Sequence, residues 1–111
     1  QNRQPEVGSE PDAAQSATAR KQLKREQAEQ RRRLQPLRQQ VSRAEQALEA
    51  ALSDRTQLET QLADSGLYAA GNKQQLQILL LEKADLDRRC EQLEQEWLEA
   101  SEALEALQLA E

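Results

Sequence analysis

The chain has almost none of the large side chains that fill a globular interior. Its 111 residues include no Phe, no Met and no His, and one each of Trp, Tyr and Cys. Since 37% of the residues are hydrophobic, there is apolar surface to bury, but not enough bulk for a wide core. We therefore expect the apolar side chains to be buried along a narrow seam.

The missing His and the scarcity of Cys also restrict the chemistry. Zinc sites, Cys-His pairs and Ser-His-Asp triads all need residues that this chain does not supply. We predict no catalytic residues, no metal site and no cofactor in this segment. Cys90 has no partner for an internal disulfide, and we interpret it as a small buried apolar residue.

Membrane and export features are absent from the sequence as well. No apolar run approaches the ~20 residues that span a bilayer, and no segment resembles a signal peptide. We expect no membrane contact and a cytoplasmic location. Residues 1–16 carry Pro5, Gly8 and Pro11 among polar residues and are predicted to be a disordered linker, so we interpret the chain as a piece of a longer protein.

Two long stretches repeat apolar residues at alternating steps of three and four. The first consists of Leu34, Leu37, Val41, Ala44, Leu48, Ala51, Arg55, Leu58 and Leu62. The second consists of Leu76, Leu79, Lys83, Leu86, Cys90, Leu93, Trp97, Ala100, Leu104 and Leu107. A 3.5-residue period held over several heptads is typical of coiled coils. The sequence predicts an all-α fold, an antiparallel two-helix coiled-coil hairpin.

The predicted domain covers residues 17–111 and has four parts. A basic helical arm spans 17–35, a first heptad helix 36–62, a loop 63–72 and a second heptad helix 73–108. The start of the arm is placed between about Asp12 and Ala19, where several residues could cap a helix. Pro36 is expected to kink the helix or to make it restart there, because proline removes a donor and clashes with the preceding turn.

The loop and the helix register follow from local chemistry. Leu67 and Tyr68 are expected to fold back on the tip as a plug, and Asn72 to cap the second helix. A register in which paired residue numbers sum to 141 places Trp97 opposite Ala44. The alternative sum of 134 places it beside Leu37, which is more crowded, and we prefer the first.

Two charged residues interrupt the apolar seam. Arg55 and Lys83 lie toward the tip, where their stems can cover apolar surface while their charges reach water. We interpret them as devices against register slip.

Charge is strongly segregated along the chain. Residues 17–43 hold nine basic and two acidic residues, a net +7, whereas residues 44–111 hold five basic and fifteen acidic residues, a net −10. A basic helix is typical of contact with a nucleic-acid backbone. The candidate phosphate-binding residues are Arg20, Lys21, Lys24, Arg25, Arg31, Arg32, Arg33 and Arg38.

An alternative explanation of the basic arm stays open. Its cations could form a solvated face paired with acidic residues at the end of the returning helix, Glu99, Glu102, Glu105 and Glu111. The arm contains no aromatic residue, so base stacking and sequence-specific readout are not expected. Contact with nucleic acid would then be through phosphates and shape.

Three segments together resemble a known family. They are ARKQLKREQAEQRRRLQPLRQQVSRAEQALE, then QLADSGLY, then EQLEQEWLEASEALE. In this order they resemble the C-terminal coiled-coil domain of ABC-F ATPases, the YheS-like branch first and the Uup branch next. The likeness covers roughly 17–107 and includes an L-x-D-x-x-L-Y loop from Leu62 to Tyr68 and a W-L-E-A stretch from Trp97 to Ala100.

The resemblance implies a parent with two ATP-binding cassettes that acts on ribosomes, with this domain contacting ribosomal RNA or DNA. ATP and Mg²⁺ would belong to the cassettes, since no Walker A loop occurs in these residues. We expect a monomeric, non-enzymatic accessory domain. The alternative is a structural or protein-interaction coiled coil without nucleic-acid binding.

Overall fold

A computed structural model describes the backbone of residues 3–110 and the side chains of residues 16–110. Two helices, α1 (Arg3–Leu62) and α2 (Lys73–Ala110), are joined by two short 3-10 helices, Ser65–Tyr68 and Ala70–Asn72. They lie side by side as an extended hairpin with overall dimensions of 103 × 18 × 15 Å. The predicted all-helical hairpin is confirmed at this level.

The buried side chains follow the predicted seam. All nine positions of the first stretch and all ten of the second are buried or half-buried. The best buried residues lie on both helices: Leu34, Ala51, Leu58, Leu79, Cys90 and Leu93, each 8% exposed or less. The heptad spacing is therefore sufficient to explain which face of each helix is buried.

The packing agrees with the preferred register. Ala51, Cys90 and Leu93 form one buried cluster, and Ala47 and Leu48 pack against it. This cluster brings Ala51 next to Cys90 and Leu48 next to Leu93, and in both pairs the residue numbers sum to 141. In the alternative register Ala51 would instead lie opposite Lys83.

Pro36 does not interrupt α1, so the expectation that the helix restarts there is wrong. An interior proline costs about 3 kcal/mol, whereas full burial of a Leu contributes about 1.5–3 kcal/mol. Leu34, 5% exposed, and the half-buried Leu37 pack on the seam on both sides of the proline. This packing offsets the proline cost and holds one helix through the position, while a bend at Pro36 stays a prediction.

The predicted tail is not confirmed either. α1 begins at Arg3 and not between Asp12 and Ala19. The side chains of residues 1–15 lie outside the part that the structure describes. At the other end, α2 continues to Ala110, two residues beyond the predicted 108.

The hairpin tip is closed by hydrogen bonds from the loop. The Tyr68 hydroxyl donates to the Leu62 carbonyl at 2.8 Å, and the Asn72 side-chain amide donates to the Gly66 carbonyl at 2.9 Å. The Asp64 carboxylate accepts from the Gly66 amide at 3.0 Å. Tyr68 folds back as predicted, but its ring is 58% exposed, so the plug is formed by the half-buried Leu67 and by these hydrogen bonds.

Candidate nucleic-acid interface

The two helices differ greatly in length, and this leaves part of α1 uncovered. α1 has 60 residues and α2 has 38. In the observed register, Ala110 at the end of α2 lies level with Arg31. Residues 16–30 therefore extend beyond α2 by about 22 Å, at the usual helical rise. In the structure we define the basic arm as residues 16–43, which adds the first turns of the seam to the predicted arm of 17–35.

The charged side chains of the basic arm are open to solvent. All eight candidate phosphate-binding residues, and also Arg43, are exposed. Leu23, which continues the apolar stripe in the sequence, is 52% exposed because no part of α2 faces it. The arm is thus a helix whose charged face is accessible along its whole length.

Four ion pairs lie on the hairpin outside the basic arm. They join Arg55 to Glu59, Arg55 and Lys83 to Asp87, and Arg88 to Asp85. Within the arm, the Arg20 guanidinium donates to the Ser16 carbonyl at 3.4 Å, one turn earlier on the same helix. Glu99 accepts a hydrogen bond from Gln95, not from a cation of the arm.

The register explains why the acidic end of α2 lies beside only the inner half of the arm. Glu99, Glu102 and Glu105 lie level with residues 42, 39 and 36. The cations at Arg20, Lys21, Lys24 and Arg25 are beyond the end of α2. Glu111, the fourth acid of that alternative, lies outside the described residues.

Arg55 and Lys83, the two charged residues of the seam, share one counterion that sequence reasoning missed. The Lys83 ammonium lies 2.9 Å from both carboxylate oxygens of Asp87, and the Arg55 guanidinium lies 3.5 Å from one of them. The hydrogen bond from Lys83, with the positive charges of Lys83 and Arg55, holds the pKa of Asp87 below its ordinary value, although desolvation acts in the opposite sense. The i, i+4 spacing of Lys83 and Asp87 was the available sequence clue.

This triad belongs to the hairpin and not to the interface. It links α1 to α2 near the tip, at the opposite end of the rod from the basic arm. The charges of Arg55 and Lys83 are therefore held by Asp87 and do not simply point into water, which refines the prediction made for them.

Arg43 is the functional candidate that sequence reasoning left out. It was counted in the net charge but not named as a phosphate-binding residue. It is exposed and lies on the same helix as the eight predicted residues. A projection of the sequence around the helix axis would have found it.

Other site classes find no support in the described part of the molecule. Among residues 16–110, whose side chains the structure describes, no group of three or more Cys, His, Asp or Glu side chains is placed to hold a metal ion. Neither described helix combines the length and the apolar character needed to cross a membrane. Comparisons of the chain with protein-family models, with curated proteins and with solved structures find no match.

Proposed function

We propose that this chain is a non-catalytic helical module that contacts nucleic acid through the phosphate backbone, using the basic arm. One observation carries the proposal. Nine exposed cations lie on the basic arm, and four of them, Arg20, Lys21, Lys24 and Arg25, are on the segment that projects past the end of α2 and its acidic residues.

The charge balance favours a polyanion as the partner. The arm has a net charge of +7, and each cation that meets a phosphate releases a condensed counterion. Since the arm has no aromatic side chain, the affinity would come from charge and shape and not from stacked bases. Ribosomal RNA and DNA are both compatible with this mode of contact.

The resemblance described above supplies the wider setting of the proposal. The module would be an antiparallel coiled-coil C-terminal domain of an ABC-F ATPase, acting in the cytoplasm at the ribosome or on DNA. ATP and Mg²⁺ would bind in the cassettes of that parent. In this role the hairpin is a monomeric, rigid spacer that positions the arm.

The test removes three neighbouring charges from the arm. In Arg31→Gln/Arg32→Gln/Arg33→Gln, we expect weaker binding to both RNA and DNA, with the salt slope of log K reduced by up to about 2.7, or three phosphate contacts. A matched control, Lys73→Gln/Arg88→Gln/Arg89→Gln, removes three exposed charges from α2 and should bind like the wild type. Fluorescence anisotropy at two salt concentrations measures both.

Helicity is followed by circular dichroism, so that a loss of fold is not mistaken for a loss of contact. Unchanged affinity in the arm variant would contradict the proposal. Equal weakening in arm and control variants would show that binding depends on overall charge and not on the arm. A sharp preference for one DNA sequence would also rule out phosphate docking.

A second candidate function is a protein-interaction module, and one observation favours it. Ile78, Leu80 and Leu81 are 47%, 50% and 68% exposed next to the loop, and Tyr68 adds an exposed ring. Exposed apolar clusters of this kind mark protein contact sites in many soluble proteins. If the chain binds neither RNA nor DNA at low salt, this second function replaces the first.

A further inference from the structure

The cations of the basic arm form two parallel rows. With about 100° between successive residues of an α-helix, four of them lie within an arc of about 40° and four others within a second arc of about 40°. The first row consists of Arg20, Lys24, Arg31 and Arg38. The second row consists of Lys21, Arg25, Arg32 and Arg43. The centres of the two rows are about 110° apart around the helix axis.

Small and uncharged residues separate the two rows. Ala17, Ala28 and Gln35 project between them, and all three positions are free of branched or charged side chains. Of the two acidic residues of the arm, Glu26 lies on the opposite side of the helix from the middle of the face, whereas Glu29 lies about 40° beyond the edge of the second row. The face therefore has a row of cations on each side and uncharged, mostly short side chains in the middle.

The hairpin directs this face away from the seam. Because α1 is continuous through Pro36, the positions before and after the proline stay in the same rows. The middle of the face points about 140° away from the mean direction of Leu34 and Leu37, which pack on the seam. All eight row residues are exposed, so the face is available to a partner.

We propose that the two rows contact the phosphates of both strands of a B-form duplex, with the helix lying in the major groove. This inference rests on the proposed function and names its ligand. The major groove is about 12 Å wide, and a helix with its side chains is about 10–12 Å across, so each flank of the helix faces one phosphate wall. The low middle of the face allows the helix to approach the groove floor.

Other nucleic acids do not match this arrangement. The major groove of an A-form RNA duplex is deep and narrow, and a helix cannot enter it. A single strand presents one line of phosphates, which one row would satisfy, and it gains most from aromatic stacking, which the arm lacks. Where the helix lies in a B-form groove, a two-sided basic face contacts both phosphate walls at once.

Two variants of equal charge change test the two-row contact. The first variant carries Arg20→Gln, Lys24→Gln, Arg31→Gln and Arg38→Gln. The second variant carries Lys21→Gln, Arg25→Gln, Arg32→Gln and Arg43→Gln. We expect both to bind a 24-base-pair DNA duplex on the order of tenfold more weakly or worse, each with its salt slope reduced by up to about 3.6. Wild type should prefer this duplex to the equivalent single strand and to the A-form RNA duplex at the same salt.

The outcomes separate this inference from the proposed function. If one row variant loses binding and the other keeps it, the helix docks on a single backbone and the two-row contact is wrong, although phosphate binding stands. If neither variant is weakened, both proposals fail. An RNA duplex or a single strand bound as tightly as the DNA duplex would also overturn the groove model.

Versions of each row with Lys in place of its Arg residues guard against a folding artefact. They keep the charge at every position and should bind within about threefold of wild type, since a phosphate contact depends mainly on the charge. Weak binding by these versions despite full helicity would overturn a contact made by charge. Circular dichroism and thermal melting of every variant confirm that the hairpin is intact.

Discussion

Trp97 offers a quantitative test of the seam because its indole is half-buried yet carries an unpaired group. Its position in the register places it opposite the small Ala44. The indole nitrogen is buried without an acceptor among the described residues. An unpaired buried donor costs about 1–3 kcal/mol, so part of the packing gain of the ring is lost to this group.

The magnitudes follow from that geometry. Trp97→Ala should destabilise the hairpin by about 2–4 kcal/mol, at or below the ~3–5 kcal/mol typical of aromatic-to-Ala changes in cores, because the ring is half-buried. Trp97→Phe loses about 1 kcal/mol of apolar contact but removes the unpaired donor. We expect that variant to be nearly as stable as wild type. Cys90→Ala, which removes a single sulfur from a site 3% exposed, should cost about 1 kcal/mol.

Urea unfolding followed by circular dichroism at 222 nm would give the midpoints and slopes for the four proteins. The expected order of stability is wild type and Trp97→Phe together, then Cys90→Ala, then Trp97→Ala. Equal midpoints for wild type and Trp97→Ala would refute the register. If Trp97→Phe were as unstable as Trp97→Ala, the indole N–H would be making a hydrogen bond, and the reasoning about its desolvation would be wrong.

Two further expectations concern the hairpin. Sedimentation at micromolar concentration should give the mass of one chain, because the short loop lets the apolar faces of the two heptad helices pack against each other within that chain. A dimer that persists in high salt would contradict this. Asp87→Asn should alter the acid unfolding profile. Because the pKa of Asp87 is lowered in the folded state, its contribution to stability is present above its unfolded pKa, near about 4, and is lost as pH falls through the folded value. Thermal melts from pH 7 to pH 2.5 should show a smaller acid decline in Asp87→Asn than in wild type; matching profiles would exclude this role.

The heptad spacing was enough to predict the architecture of the hairpin. A seam needs only apolar side chains at the correct interval, and both stretches keep that interval even where Arg55 and Lys83 replace apolar residues. Trp97 and Ala44 then discriminate between registers because a large residue needs a small one opposite it. Fold and register were therefore both accessible from side-chain size and period.

Pro36 shows what local sequence rules leave undecided. The local rule correctly assigns a cost to an interior proline, but the outcome depends on the packing of Leu34 and Leu37 against α2, which follows much later in the sequence. The loop reverses the chain through two successive 3-10 turns, and neither Gly66 nor Gly71 has a positive φ.

Predicting the candidate interface needed both the composition of the sequence and the register of the two helices. Composition alone located the net +7, but it could not say whether α2 would cover that charge. The answer lies in the register, because pairs that sum to 141 place the end of α2 level with Arg31. A hairpin with the same sequence and longer pairing would have neutralised the arm with its own carboxylates.

The separation of charge along the rod then has a physical consequence for how the arm would engage a polyanion. At physiological ionic strength the Debye length is about 8 Å, so the acidic residues of α2 strongly affect only cations near them. Arg38 and Arg43 lie level with residues 103 and 98 and feel that negative charge, whereas Arg20 to Arg25 project beyond it. Phosphates should therefore be held most strongly at the projecting end. The acidic hairpin, repelled by the same backbone, would be oriented away from the nucleic acid, and the rod would then extend outward from the bound duplex.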